Sequence, residues 1–294
     1  MPSVQYLTVT DSEAGQKLSS FLMRRVEGLP RSVAMRWIRT GQVRVDSRRC
    51  KPFARLSPNQ SVRLPPYEEF TATPRRDPEE NQASLNILYR EKDFFLLNKP
   101  AGLPIHPGTK IKDDLVSRLH TVFREEDFAP TPVHRLDKPT SGVVLIARTY
   151  SFLRKMHAKW QEDKVDKYYL AWVGGEWEEK GETLLQDRLG KDKTWKMSAA
   201  KSGKSARCLV RPLVYRQGGT LLQIKLLTGR THQIRAQLSM RGHPIVGDDR
   251  YGGEKAPIMY LHALLLDWGY KPLICMPDWT GRFAVTRDLL KIPE

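Results

Sequence analysis

Between Pro65 and Ala83 the chain carries four prolines, a dense mixture of charges and almost no large apolar residue. Such a stretch has too little apolar surface to bury, and where its prolines cluster it is stiff. It therefore splits the 294 residues into a short body, residues 1–64, and a long body, residues 84–294, with 65–83 as the linker. Length favours the same division, since one core rarely serves so long a chain.

With 40% hydrophobic residues, each body can bury a core. Apolar runs such as Phe94 to Leu97 and Val143 to Ala147 fall far short of the roughly 18 residues a membrane helix needs. The opening residues, MPSVQYLTVTDSEAGQ, have neither an apolar stretch nor a basic lead-in, so no secretory signal is read there. The expectation is a cytoplasmic protein, monomeric and without a membrane partner. Net charge is +16, and residues 1–63 hold 12 Lys or Arg against 4 Asp or Glu, a net of +8. Half of the excess thus sits in about a fifth of the chain. Charge concentrated in this way points to a nucleic-acid partner. Cys50, Cys208 and Cys275 share no C-x-x-C spacing, so neither a disulfide framework nor a zinc site is expected.

In the short body Leu18, Phe21 and Leu22 fall on one helical face. Pro30-Arg31-Ser32 breaks the chain and offers Ser32 as an N-cap. Val33, Ala34, Trp37 and Ile38 repeat the apolar helical spacing, leaving Arg31, Arg36 and Arg39 free for solvent or RNA. Gly41 ends that helix, Val43-Arg44-Val45 reads as a short strand, and Ser47-Arg48-Arg49 as a basic turn. A solvated helix pair would look similar. The order helix, turn, basic helix, Gly and V-R-V strand resembles the small alpha-L RNA-binding module named after small-subunit ribosomal protein four. That resemblance implies that Arg31, Arg36, Arg39, Arg44, Arg48 and Arg49 meet phosphates.

The long body mixes elements. Ile87–Tyr89 and Phe94–Asn98 read as a hairpin, residues 151–163 and 231–240 as helices, and 168–173, 206–215 and 220–227 as strands. Strands outnumber helices without alternating with them, so the expectation is an α+β fold: a largely antiparallel mixed sheet flanked by helices.

One carboxylate stands out. Residues 134–142 read His-Arg-Leu-Asp-Lys-Pro-Thr-Ser-Gly and lead straight into Val143-Val144-Leu145-Ile146-Ala147. Asp137 therefore lies in a turn ahead of a buried strand, which can hold it still. Chemistry alone also allows a plain turn Asp paired with Arg135. The nine-residue string, however, resembles the active-site signature of the RNA pseudouridine synthases, in the branch acting on large-subunit rRNA and tRNA. Three further segments match that family in order: Asn98-Lys99-Pro100-Ala101-Gly102 with His106, Lys167-Tyr168-Tyr169-Leu170-Ala171, and Gly229-Arg230-Thr231-His232-Gln233-Ile234-Arg235. Pro139, where the family often has an acidic residue, and Ala236-Gln237, where Val-His is usual, depart from the pattern.

The resemblance implies that Asp137 is the nucleophile, Arg235 its ion-pair partner and Tyr169 the aromatic against the base. Arg135 would fill the gap left by a flipped uridine, or else simply pair with Asp137. His134, His106 and His232 would be hydrogen-bonding supports. Uridine and pseudouridine are isomers, so stoichiometry asks for no cofactor, nucleotide or metal. Large-subunit rRNA is the expected partner, with tRNA, a dual role, or a non-catalytic RNA-binding ribosome-assembly protein as alternatives. A His-Asp hydrolase lacks support, because no G-x-S-x-G or H-E-x-x-H string occurs.

Overall fold

The computed structural model describes residues 3–68, 70, 85–107, 113–192 and 196–292. Its N-terminal body contains a three-stranded antiparallel sheet, β1 (Gln5–Thr8), β2 (Arg44–Val45) and β3 (Ser61–Leu64), in the order β1-β3-β2. Helices α1 (Leu18–Arg25) and α2 (Arg31–Arg39) cover one face. Leu18, Phe21, Leu22, Ala34, Trp37, Ile38 and Val62 form an apolar cluster of their own. The helix pair and the short V-R-V strand lie where the apolar spacing puts them, but Ser32 is not the cap of α2. Pro30 takes that place, with its carbonyl accepting from the N–H groups of Val33 and Ala34, because its fixed φ already suits a helix start. β1 and β3 had no expectation attached to them.

The expected linker also begins too early. Tyr67 and Phe70 stack on each other at 5.7 Å and both lie against Trp37. These two rings carry the apolar area that ties 65–68 and 70 to the N-terminal core. The remaining linker residues, 69 and 71–83, lie outside the described residues. The two bodies touch directly. The Arg24 guanidinium lies 4.7 Å over the Phe128 ring and donates to Thr131 Oγ1 at 3.1 Å. Arg25 pairs with buried Glu13 at 2.9 Å and reaches Asp127 at 3.7 Å.

The long body is one ten-stranded sheet. Its strands are β4 (Ile87–Arg90), β5 (Phe94–Lys99), β6 (Thr131–Pro132), β7 (Ser141–Ala147), β8 (Asp166–Gly174), β9 (Thr183–Lys191), β10 (Met197–Ala199), β11 (Lys204–Arg216), β12 (Gly219–Leu226) and β13 (Leu261–Asp267). The order is β10-β9-β11-β12-β8-β13-β7-β5-β4, with β6 beside β7. Only β7 and β13 run parallel, so the sheet is the largely antiparallel, mixed one expected of an α+β fold. Helices α3 (Leu115–Val122), α4 (Tyr150–Gln161) and α5 (Gln233–Ser239) flank it. None of the described helices is long and apolar enough to cross a membrane.

Strand alternation gives β8 two buried faces. Tyr169, Ala171 and Val173 enter the main core, while Tyr168, Leu170 and Trp172 enter a second cluster under Trp279 and the chain's C-terminal segment. All three cysteines are free. Burial pushes the thiols of Cys208 and Cys275 up to about 12, which suits inert packing groups.

Candidate active site

Asp137 sits in the loop between β6 and β7, and that loop is tied down on both sides. The N–H of Thr140 donates to the Asp137 carbonyl at 3.1 Å, and Gly102 N–H donates to the Lys138 carbonyl at 2.9 Å. Lys99, fully buried at the end of β5, donates to the carbonyls of Pro100, Leu103 and Lys138 at 2.9, 2.8 and 3.2 Å. Three ammonium protons thus meet three carbonyls, joining the first motif to the residue after Asp137. Burial pulls Lys99 down to about 7 against the opposing pull of the Asp137 charge. Gly142 closes the string at φ +110°, where an added Cβ would stand 2.2 Å from the Ala263 carbonyl oxygen. Only glycine lets β7 approach β13 there.

Arg235 reaches Asp137 from α5. Its Nε and one terminal nitrogen grip Asp248 at 2.7 and 2.8 Å, and the other terminal nitrogen meets Asp137 Oδ2 at 3.2 Å. Arg235 and Asp248 are both buried. Burial works against the guanidinium's charge, but the Asp248 and Asp137 carboxylates outweigh it and raise Arg235 above its ordinary range. His232, in a left-handed conformation at φ 51°, places Nε2 3.8 Å from Asp137 Oδ2 and Nδ1 3.1 Å from the Tyr251 hydroxyl. Burial lowers its pKa, with the Asp137 charge acting in the other direction.

The two adjacent tyrosines are separated by the sheet itself. Tyr169 faces Asp137 across a cavity of about 400 Å³, whereas Tyr168 lies on the opposite face with Lys225 over its ring at 5.4 Å. Burial, reinforced by the Asp137 charge, raises the Tyr169 phenol well above its ordinary value and keeps it neutral. Leu226, Ile234, His232 and Arg235 complete this end of the cavity. Arg135 also lines it but is exposed. The carboxylate's ion-pair partner is therefore Arg235, and the alternative of an Arg135–Asp137 pair is set aside.

Arg31, Arg36, Arg39, Arg44, Arg48 and Arg49 are all exposed on the N-terminal body, and none lines the cavity. His106 is exposed and also lies off the cavity. His134 is a support: its Nε2 accepts from Leu145 N–H at 3.1 Å, and its ring stacks on Trp160 at 4.9 Å. Lys99, Asp248 and His262 were not singled out from sequence. Lys99 lies inside the Asn98–Gly102 motif, which was the available signal. His262 bridges Ser141 Oγ at 2.9 Å and the Cys275 carbonyl at 2.8 Å, in the β7–β13 pairing next to the Asp137 loop.

A pH dependence follows from these histidines. Burial pulls both His134 and His262 from 6.5 down to about 4. Between those values the unfolded chain binds protons that the folded chain refuses, so stability falls as pH drops from about 6.5 to about 4. At pH 5 the loss should be on the order of 2–4 kcal/mol relative to pH 7.5. Denaturant midpoints at the two pH values check this, and a midpoint independent of pH across the window would contradict it.

A buried arginine locked to one carboxylate and presenting a second in an aromatic-walled cavity is a site built around a fixed carboxylate. Residues 93–240 match the family model described as RNA pseudouridylate synthase. "Ribosomal large subunit pseudouridine synthase C" of Escherichia coli K12 is 35% identical over 260 residues, covering 85% of this chain and 81% of that protein. The protein of the same name from Pasteurella multocida is 33% identical over 258 residues, covering 85% and 78%. Among solved structures, human RNA Pseudouridylate Synthase Domain Containing 1 superposes with a TM-score of 0.57 at 27% identity, covering 68% of this chain and 86% of that one. The chain belongs to the RNA pseudouridine synthase family, and is thus an isomerase that acts on RNA.

Proposed function

We propose that this enzyme converts specific uridines of large-subunit ribosomal RNA to pseudouridine, with Asp137 as nucleophile. The observation that carries the reading is the Asp137 carboxylate, held at 3.2 Å by a buried Arg235 that Asp248 fixes from behind, facing Tyr169. A carboxylate nucleophile divides a hard displacement into two easier steps. Asp137 adds to the uridine, the bond from ring nitrogen to sugar breaks, the base turns and carbon five of the base bonds to the sugar. The bond to Asp137 then breaks to return the free carboxylate, carbon five loses its proton, and the freed ring nitrogen takes one up. The proton leaving carbon five departs on the Tyr169 side, against which the base packs. Arg235 orients the attacking oxygen.

A stacked uridine cannot reach such a cavity, so it must be flipped at a cost of a few kcal/mol. Exposed Arg135 at the cavity is suited to fill the vacated stack, since a guanidinium can stack and hold phosphate together. The N-terminal body, with its six exposed arginines, would position the RNA without taking part in the chemistry. The ribosomal substrate is supported by the names of the relatives and by the charge held in residues 1–63.

The test is release of label from carbon five of uridine, on large-subunit rRNA and on tRNA transcripts. Release from tRNA alone would overturn the substrate. On a minimal stem-loop that folds without magnesium, turnover should survive exhaustive chelation within about twofold, because the proposed steps use only side chains: the Asp137 nucleophile, Arg235 and Tyr169. Loss of turnover restored by one divalent metal would argue against this mechanism.

A further inference from the structure

The sheet of the N-terminal body has two faces of opposite character. Leu7, Val45, Val62 and Leu64 pack into its core. On the other face, strand register sets Tyr6 opposite Arg63, and Arg63 opposite Arg44. The three side chains therefore stand in one row across adjacent strands. Tyr6 is 66% exposed, the largest exposure of any big apolar side chain among the described residues.

Among the described residues the two arginines are held only by backbone oxygens: Arg63 donates to the Gln42 carbonyl at 3.0 Å, and Arg44 to the Ser47 carbonyl at 3.3 Å. Neither forms an ion pair with a carboxylate among the described residues. Asp46, the nearest acid along β2, spends its oxygens on Ser61 N–H and Gln60 Nε2, both at 2.9 Å. Like charges placed directly opposite across strands repel, so the pairing of Arg63 with Arg44 costs the fold something.

We infer that the Tyr6–Arg63–Arg44 row is a second RNA contact, separate from α2, and that its occupant is an unpaired nucleotide. A base has a flat face to lay on an exposed ring, and its phosphate satisfies guanidinium groups that lack a carboxylate. A paired base offers no free face, so a duplex could use only the arginines. The row lies on the sheet while Arg31, Arg36 and Arg39 lie on the helix, so the N-terminal body would hold RNA at two surfaces. The inference rests on the RNA reading above and adds the single-stranded site.

The experiment measures binding of the full chain to two RNAs, a hairpin with fully paired flanks and the same hairpin with a single-stranded overhang. The wild-type chain should prefer the overhang. Tyr6→Ala should lose about tenfold on the overhang RNA only, with an unchanged slope of affinity against salt, while Tyr6→Phe keeps the affinity. Arg63→Gln should reduce that slope by about 0.7, the share of one single-strand phosphate. Melting curves check that each variant is folded. Tyr6→Ala binding both RNAs as the wild type does, the outcome expected if the row serves a protein, would overturn the inference. So would an equal loss on both RNAs. Label release by the wild-type chain is measured in parallel on large-subunit rRNA and tRNA transcripts. If it is absent from both, the enzymatic reading fails while the binding comparison still decides the stacking site.

Discussion

Asp137→Asn should abolish turnover while leaving RNA affinity within about twofold, a loss on the order of 10⁴-fold or more if a carboxylate nucleophile is removed. Asn fills nearly the same space, so the loop held by Thr140, Gly102 and Lys99 keeps its shape. Its amide oxygen can still accept from Arg235, where the present contact is 3.2 Å. What it lacks is the charge that attacks. The measurement is release of label from carbon five alongside equilibrium binding of the same RNA. Activity within tenfold of the parent would remove Asp137 from the role of nucleophile. Loss of activity together with loss of binding would show a misfolded loop, and Asp137→Glu, which keeps the charge but moves it, then separates the two.

Much of this was legible in the sequence because the decisive signals were local. The nine-residue string gives the Asp137 turn and the strand behind it, and the apolar spacing of Val33, Ala34, Trp37 and Ile38 gives the buried face of α2. The motif resemblance already pointed to Tyr169, not Tyr168; the sheet adds the physical reason, since period-two alternation makes the two face opposite ways and only the fold shows which way is inward. β9, T-L-L-Q-D-R-L-G-K, escaped notice because its residues are largely polar and exposed. β13 carries a buried His whose partners, Ser141 and Cys275, are distant in sequence. Asp248 illustrates the same limit. It stands 13 residues beyond Arg235, and its grip on that side chain is a contact that no local pattern announces.

That grip carries the second large effect, expected for Asp248→Ala. Asp248 is 1% exposed and takes two hydrogen bonds from Arg235, besides the Tyr251 N–H at 3.3 Å. Removing it leaves a buried guanidinium with Asp137 as its one remaining carboxylate, and stability should fall by about 3–5 kcal/mol, as when one partner of a buried pair is lost. Chemistry should suffer independently. Freed from Asp248, Arg235 can turn a full two-nitrogen edge toward Asp137 in place of one nitrogen, moving the attacking oxygen. Misplacement by about 1 Å can cost on the order of 10²-fold, so kcat should drop by about that factor with KM changed less than threefold. Urea melts give the stability, and kinetics are taken well below the melting point. Asp248→Asn, which keeps the shape and one acceptor, should fall between the two and remain folded enough to assay. If Asp248→Ala melts within about 1 kcal/mol of the parent and turns over within threefold, Arg235 is held by something other than Asp248, because the buried-pair penalty could not then have been incurred.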